Sequence, residues 1–409
     1  MNILFIHQNF PGQFRHLAPA LAAQGHTVVA LGVNPAKTPL PGVRHLLYQP
    51  EPQPGAVTGQ TPAALRELYG KMVRGQSAAR CLAALAAQGF VPDVVFAHPG
   101  WGEAWYVKDV FPKARLLVYA EYFYGAAGGD VAFDPEFSRV TLEASQATRI
   151  KNTHLLHALH AADAALSPTE FQRGQHPAWS QDRIKVIHDG IDTDRFRPDP
   201  QASVRLGVSG LTLRPGDEVV TFVARQLEPY RGYHTFMRAL PALLRLRPRA
   251  RVVLVGGDGV SYGSAPAAGG SWKQIFLDEV APQLDRQRVH FVGTLPHEVL
   301  TQLLQVSAAH VYLSYPFVLS WSLMEAMSIG ALVIGSRTAP VEELIEHGRN
   351  GLLTDFFDPG DLAETVAQAL AQGPALAPLR QAARQTITDK YDLQRHCLPA
   401  QLRFVTNAG

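Results

Sequence analysis

Cysteine is scarce in this chain: two occur among 409 residues, Cys81 and Cys397, far apart in sequence. Neither metal-ligand spacing nor a disulfide framework can be drawn from them, which fits a reducing compartment. No stretch approaches the roughly 20 apolar residues of a membrane-spanning helix. A soluble, cytoplasmic chain is therefore expected, with weak attachment to a membrane surface left open. An excess of one charge is also missing, because 37 Lys and Arg face 35 Asp and Glu for a formal net charge of +2. That balance argues against a nucleic-acid partner, so any basic site must be local. The opening Met1-Asn2-Ile3-Leu4-Phe5-Ile6-His7 has neither a basic n-region nor a long apolar core. It reads as a strand rather than a signal peptide.

What is present is a repeating alternation of short apolar runs and helical stripes. The chain is 46% hydrophobic and 18% charged, and its length suits two α/β domains of about 200 residues each. Strand patterns fall at 3–7, 27–31, 91–97, 115–120, 164–166 and 184–187, with a helical stripe over 14–23 that stops at Gly25. Alternation of this kind implies a parallel sheet with helices on both faces. A Pro-rich stretch follows Arg197, and a fresh series begins at 219–224, continuing at 251–256, 289–292, 309–313 and 331–335. The expected division is 1–200 and 201–390, with a C-terminal helix within 391–409 packing back on the first domain. Residues 34–61 and 121–152 read as long irregular loops, a length often tied to function in compact α/β domains.

Parallel sheets bind ligands beyond the carboxyl ends of their strands, so the residues following each strand are the ones to weigh. After 219–224 come Arg225 and Arg231-Gly232, two guanidinium groups suited to a diphosphate; pairing with carboxylates such as Glu228 is the alternative. After 251–256 comes a glycine run, Gly256-Gly257-Asp258-Gly259, that permits close approach of backbone to a ligand or a plain turn. It is neither a P-loop nor a dinucleotide fingerprint. After 309–313, Ser320-Trp321-Ser322 opens an apolar helix that carries Glu325 and stops at Gly330. A carboxylate in such a helix needs partners. Ribose hydroxyls, backbone amides or an arginine would all serve. In the first half, His98 and Glu103 follow one strand and Glu121 another, where they can orient a substrate or serve the core. Trp101 and Tyr122 offer flat faces on which a ligand ring can stack, with a core or lid function as the commoner alternative. His7 reads better as a satisfied structural histidine. The stripe 65–85 carries Arg66, Lys71, Arg74 and Arg80, either a solvated face or a contact for acidic lipid.

In order and spacing these stretches resemble the retaining glycosyltransferase family 4, over nearly the whole chain. Phe10-Pro11-Gly12-Gln13 is similar to the family's acceptor loop. His188-Asp189-Gly190-Ile191-Asp192 through Pro198 is similar to the segment before the linker, and Arg225 with Arg231-Gly232 to the diphosphate clamp. Gly293-Thr294-Leu295 is similar to the loop that meets the nucleobase, and Glu325-Ala326-Met327 and Asn350-Gly351 to two further segments of the family, Glu325 standing where the family holds the ribose.

The resemblance implies the GT-B architecture: α/β, two Rossmann-like domains whose parallel sheets face a central cleft. It implies a retaining, metal-independent transfer of a sugar from a nucleoside-diphosphate donor to a glycan, lipid-linked or small-molecule acceptor, with no cofactor. Catalytic roles then fall to Arg225, Arg231, His98 and Glu103. Donor binding falls to Arg225, Arg231, Gly257, Leu295, Ser320, Trp321, Ser322 and Glu325, and acceptor binding to Gly12, Gln13 and Glu121. One departure stands out. Phe317 occupies the position of the first glutamate in the family's paired-glutamate motif, which keeps open a degenerate sugar-nucleotide-binding protein or a partner subunit of another transferase. A pyridoxal-type phosphorylase is disfavoured, since no lysine falls in the expected helical context.

Overall fold

The computed structural model describes residues 1–52, 55–207 and 210–407. It divides into two compact units: Met1–Gly190 with the stretch from Gln394 onward, and Ile191–Leu393. The division thus falls earlier than the Pro-rich stretch after Arg197, because Ile191 pairs with the returning chain. Its amide donates to the Tyr391 carbonyl at 2.8 Å, and Leu393 donates back to Ile191 at 2.9 Å.

The N-terminal unit holds seven strands: β1 (Asn2–Ile6), β2 (Thr27–Gly32), β3 (Val43–Leu47), β4 (Val94–Ala97), β5 (Arg115–Tyr119), β6 (Ala164–Ser167) and β7 (Ile184–Val186). Their order is β3-β2-β1-β4-β5-β6-β7, and every pairing is parallel. Ile3, Leu4, Phe5 and Ile6 are all fully buried, which is why β1 reads as an unbroken apolar run: both faces of a central parallel strand are covered. Its odd residues pack with Phe14, Phe96 and Phe404, its even ones with Leu82, Val95 and Val118.

The C-terminal unit opens with a short antiparallel pair, β8 (Val204–Arg205) and β9 (Thr212–Leu213). A six-stranded sheet follows: β10 (Val219–Gln226), β11 (Arg251–Gly257), β12 (Val289–Phe291), β13 (Ala309–Tyr312), β14 (Val333–Ser336) and β15 (Leu352–Thr354). Its order is β12-β11-β10-β13-β14-β15, again parallel throughout. Arg384 ties this unit's helices together by donating to the carbonyls of Ser328 (2.5 Å) and Phe196 (3.1 Å).

Two expected loops carry regular structure. Residues 34–61 include β3, an edge strand whose half-exposed Val-Arg-His-Leu-Leu lacks a buried apolar run. Part of that stretch, residues 53 and 54, lies outside the described residues. Residues 121–152 include the helix Leu142–Lys151, mostly polar and entered through Thr141, whose hydroxyl accepts from the Ala144 amide at 3.1 Å. That hydroxyl satisfies one of the helix's free amides.

The last helix, Leu398–Thr406, belongs to the N-terminal unit. Arg115 donates to the carbonyls of Phe404 (3.3 Å), Val405 (3.3 Å) and Asn407 (2.6 Å), placing a cation at the negative end of the helix. Among the described residues no helix is long and apolar enough to cross a membrane.

Candidate active site

Each sheet reverses its strand order once: between β1 and β4 in the N-terminal unit, between β10 and β13 in the C-terminal unit. At such a switch point neighbouring loops leave in opposite directions and open a crevice. The candidate residues gather at these two places.

In the N-terminal unit, His7 follows β1, His98 follows β4 and Glu121 follows β5. The Asn9 amide donates to His7 Nδ1 at 2.9 Å, so the ring proton sits on Nε2 and donates to Gln13 Oε1, also at 2.9 Å. Gln13 Nε2 in turn donates to Glu121 Oε1 at 2.7 Å. The Gly100 amide occupies His98 Nδ1 at 3.1 Å, which leaves His98 Nε2–H to donate to Glu121 Oε2 at 3.3 Å. Glu121 therefore receives two donors. Burial alone would raise its pKa, but the His98 contacts, aided by His7 and Gln13, hold it below the usual carboxylate range. His7 is 3% exposed; burial, then the neighbouring His98, lower its pKa to about 3, so the ring is neutral. Gly12 has φ +47°, and a Cβ there would lie 2.4 Å from His7 Nε2, so only glycine fits beside the ring.

His7, Gln13, Glu121 and His98 thus form one hydrogen-bonded chain, with Gly12 packed against the His7 ring. Beside it lies a cavity of about 220 Å³ lined by His98, Trp101, Glu121, Tyr122, Lys71 and Lys151 among others. Glu103 is not in that lining. It is 1% exposed, accepts from the Tyr48 hydroxyl at 2.7 Å, and its burial raises its pKa.

In the C-terminal unit, Arg231 sits where β10 gives way to the helix Tyr233–Leu246. It is 9% exposed and donates to the Ser314 hydroxyl at 2.9 Å and toward the Tyr312 hydroxyl at 3.5 Å, both from the β13 side of the switch point. Its guanidinium lies 5.0 Å from the Tyr262 ring centroid. No carboxylate is within ion-pair distance of it among the described residues. Burial disfavours its charge, but Tyr312, Tyr262 and Tyr230 outweigh this and raise its pKa. Arg225 is exposed at the end of β10.

Glu228, the alternative partner of these arginines, points elsewhere. Fully buried, its carboxylate accepts from the amides of Ser261 (3.0 Å), Tyr262 (3.4 Å) and Gly263 (3.1 Å). It staples residues 261–263, just past the glycine run, to the β10 loop. Gly257 lies at the base of that run, where a Cβ would meet Gln226 Oε1 at 2.4 Å.

Ser320 caps the helix Trp321–Ile329, accepting from the Ser322 amide at 3.3 Å, while its own amide donates to the Tyr312 hydroxyl at 3.0 Å. The amides of Ser320 and Ser322 are thus already engaged. Glu325, 7% exposed, faces His297, whose Nε2 is 3.3 Å from Oε1. Among the described residues neither backbone amides nor an arginine fill that role. Leu295, half-buried, packs on the core formed by Val253 and Val255. Phe317 is buried between Tyr230 and Tyr262, with centroid separations of 5.3 and 5.1 Å.

His297, Tyr312, Ser314, Tyr48 and the two cavity lysines were not singled out for these roles by sequence. Of these, only Lys71 had a flag, as one of a basic series.

Two parallel α/β units, each carrying a polar cluster at its switch point, define the architecture of a two-domain glycosyltransferase. Residues 24–196 match the family model described as "Glycosyl transferase family 4 group", and residues 210–386 that described as "Glycosyl transferases group 1". The chain belongs to the family 4 type of GT-B glycosyltransferases.

Curated relatives include D-inositol 3-phosphate glycosyltransferases. That of Mycolicibacterium vanbaalenii is 30% identical over 220 residues, 53% of this chain and 47% of the relative. That of Nocardia farcinica is 31% identical over 193 residues, 46% of this chain and 40% of the relative. The chain spans about half the length of the curated relatives it matches. Among solved structures, Anabaena HepE in complex with UDP matches with TM-score 0.67 at 19% identity, over 99% of each chain. Sucrose-phosphate synthase from Thermosynechococcus elongatus matches with TM-score 0.71 at 18% identity, over 99% of this chain and 98% of the other.

Proposed function

We propose that the chain transfers a sugar, with retention of anomeric configuration, from a nucleoside-diphosphate donor held by the C-terminal unit to a hydroxylated acceptor held by the N-terminal unit. Arg231 carries the reading. A buried guanidinium that meets only hydroxyls and an aromatic face has no counter-ion among the described residues, and an anion supplied from outside completes it. Arg225, exposed at the end of β10, adds a second cation six positions earlier in the chain.

In the transfer, the bond between sugar C1 and the diphosphate oxygen breaks with its electron pair leaving on that oxygen. The acceptor hydroxyl forms the new bond to C1, and its proton passes to the departing phosphate. Preorganised cations aimed at the developing charge lower that barrier by several kcal/mol. The arginines supply this charge in the reading proposed, so turnover should persist in EDTA. Glu325, released from His297, would take the ribose hydroxyls. Glu121 would accept from an acceptor hydroxyl, with Gln13 and His98 fixing its direction.

The solved HepE structure contains UDP, which makes a uridine donor the first to try, in the cytoplasm where such donors are made. Release of nucleoside diphosphate from UDP-, GDP-, ADP- and dTDP-sugars measures turnover, and thermal shift with each nucleotide measures binding. Arg231→Gln should weaken nucleotide binding at least about a hundredfold, the roughly 3 kcal/mol that follows loss of one partner of a buried charge pair. Unchanged affinity would remove the basis of the reading.

A second reading rests on Phe317. With an aromatic ring packed against Tyr230 and Tyr262 where the family resemblance implies an acid, the chain would bind the donor without turning it over. Binding without nucleotide release in the same pair of assays selects it.

A further inference from the structure

The N-terminal cavity brings together two lysines that are 80 positions apart in sequence. Lys71, on the helix Ala63–Ala87, is only 8% exposed; its ammonium lies 2.9 Å from Glu67 Oε1 and points toward the Lys151 carbonyl at 3.5 Å. Lys151 ends the helix Leu142–Lys151. Its ammonium rests 3.4 Å from the centroid of the Tyr124 ring, and no carboxylate is within ion-pair distance of it among the described residues. Both lysines, together with Glu67, belong to the lining of the cavity that Glu121 and His98 also line.

We propose that this cavity takes an acceptor bearing an anionic group, a phosphate or a carboxylate, bound between the ammonium groups of Lys71 and Lys151 while a hydroxyl of the same molecule meets Glu121. The inference rests on the transfer reading above and names the acceptor class for it.

Three observations support it. Two ammonium groups in one partly dry cavity oppose each other's charge, and burial lowers the pKa of both. A bound dianion reverses that penalty, whereas a neutral sugar leaves it in place. The local acids offset that penalty only in part: Glu67 pairs with Lys71, and Glu67 and Asp130 favour the Lys151 charge, yet burial still carries both lysines downward. Glu67 is about half exposed, Glu121 is committed to Gln13 and His98, and Asp130 accepts the Tyr122 hydroxyl at 3.4 Å. The rest of the lining suits a small polyol, with Trp101 and Tyr122 as faces for C–H bonds and Glu121 as hydroxyl acceptor. At about 220 Å³ the cavity is below the roughly 300–1,000 Å³ of ordinary ligand sites, so its occupant is a single ring or a short polyol.

The test uses the full chain, first with whichever nucleoside diphosphate binds, at saturation, so that Arg231 is occupied. Inorganic phosphate, glycerol 3-phosphate and glycerol are then titrated by calorimetry into the unmodified chain, Lys151→Gln and Lys71→Gln. Glycerol 3-phosphate should bind at least about tenfold more tightly than glycerol, and each substitution should erase most of that difference without altering nucleotide affinity. Lys151→Gln leaves the Glu67–Lys71 pair in place, so it reports even where Lys71→Gln folds poorly. Vesicles of phosphatidylcholine with and without phosphatidic acid form a parallel arm. Lysine-dependent binding to vesicles alone assigns the anion to a lipid headgroup, and binding of glycerol 3-phosphate assigns it to a soluble acceptor. Equal affinity for glycerol and glycerol 3-phosphate, or phosphate binding indifferent to both lysines, overturns the proposal. If no nucleotide binds yet phosphate binding still needs the lysines, the donor reading falls and the anion site stands.

Discussion

Acid should unfold the N-terminal unit well before the C-terminal one. Four buried histidines of the N-terminal unit have depressed pKa values: His7 and His154 at about 3, His176 and His188 at about 4, each chiefly through burial. In the unfolded chain they titrate near 6.5. Between those values the unfolded state binds more protons, so the stability these rings allow above pH 6.5 is lost as pH falls toward their folded values. At pH 5 each contributes a loss of about 2 kcal/mol, since 1.4 kcal/mol attends each unit of pH difference.

Together the four approach about 8 kcal/mol, comparable with the whole stability of a domain. Glu121, with its lowered pKa, adds to the loss below the ordinary carboxylate range. Glu103 acts in the opposite sense, because its raised pKa makes the folded unit take up a proton earlier than the unfolded chain. In the C-terminal unit only His310, at about 4, is held so low among the described residues. Hydrogen exchange read by mass spectrometry at pH 7 and pH 5 reports each unit separately. Protection in β1, β4 and β5 should collapse at pH 5 while β10 and β13 stay protected. His188→Asn, which keeps an acceptor for the Gly190 amide, should shrink the pH dependence by about 2 kcal/mol. Equal protection of both units at pH 5 would refute the assignment of these rings as neutral and buried.

Two further outcomes follow from local geometry. Gly12→Ala places a Cβ into the His7 ring at a positive φ, so it should cost about 2–4 kcal/mol and lower the melting temperature of the N-terminal unit in calorimetry. Glu228→Ala leaves the amides of Ser261, Tyr262 and Gly263 without their carboxylate, so it should cost about 2–4 kcal/mol; fast exchange confined to residues 261–263 would be its signature.

The strands were legible where burial is two-sided. Ile3-Leu4-Phe5-Ile6 and Val219-Val220-Thr221-Phe222 announce central parallel strands because no solvent face dilutes their apolar run. Val43-Arg44-His45-Leu46-Leu47 does not, since an edge strand exposes polar groups. Leu142–Lys151 hid for a different reason: its residues are mostly polar and its signal lies in the Thr141 cap rather than in periodicity. At the sites, loop residues near strand ends were readable as candidates, but their partners were not. Glu325 meets His297 across 28 positions and Arg231 meets Ser314 across 83, distances set by strand order rather than by any local pattern. Lys71 and Lys151 converge for the same reason, on two helices with no shared motif.

The returning C-terminal helix has a practical consequence. Phe404 and Val405 fill the same core as Phe14 and Phe96, and Arg115 clasps the carbonyls at that helix end. A fragment ended after residue 200 would lack this plug and leave aromatic rings facing water. Supplied as a separate peptide, residues 394–409 should restore it, which makes the molecule a natural candidate for split-protein complementation.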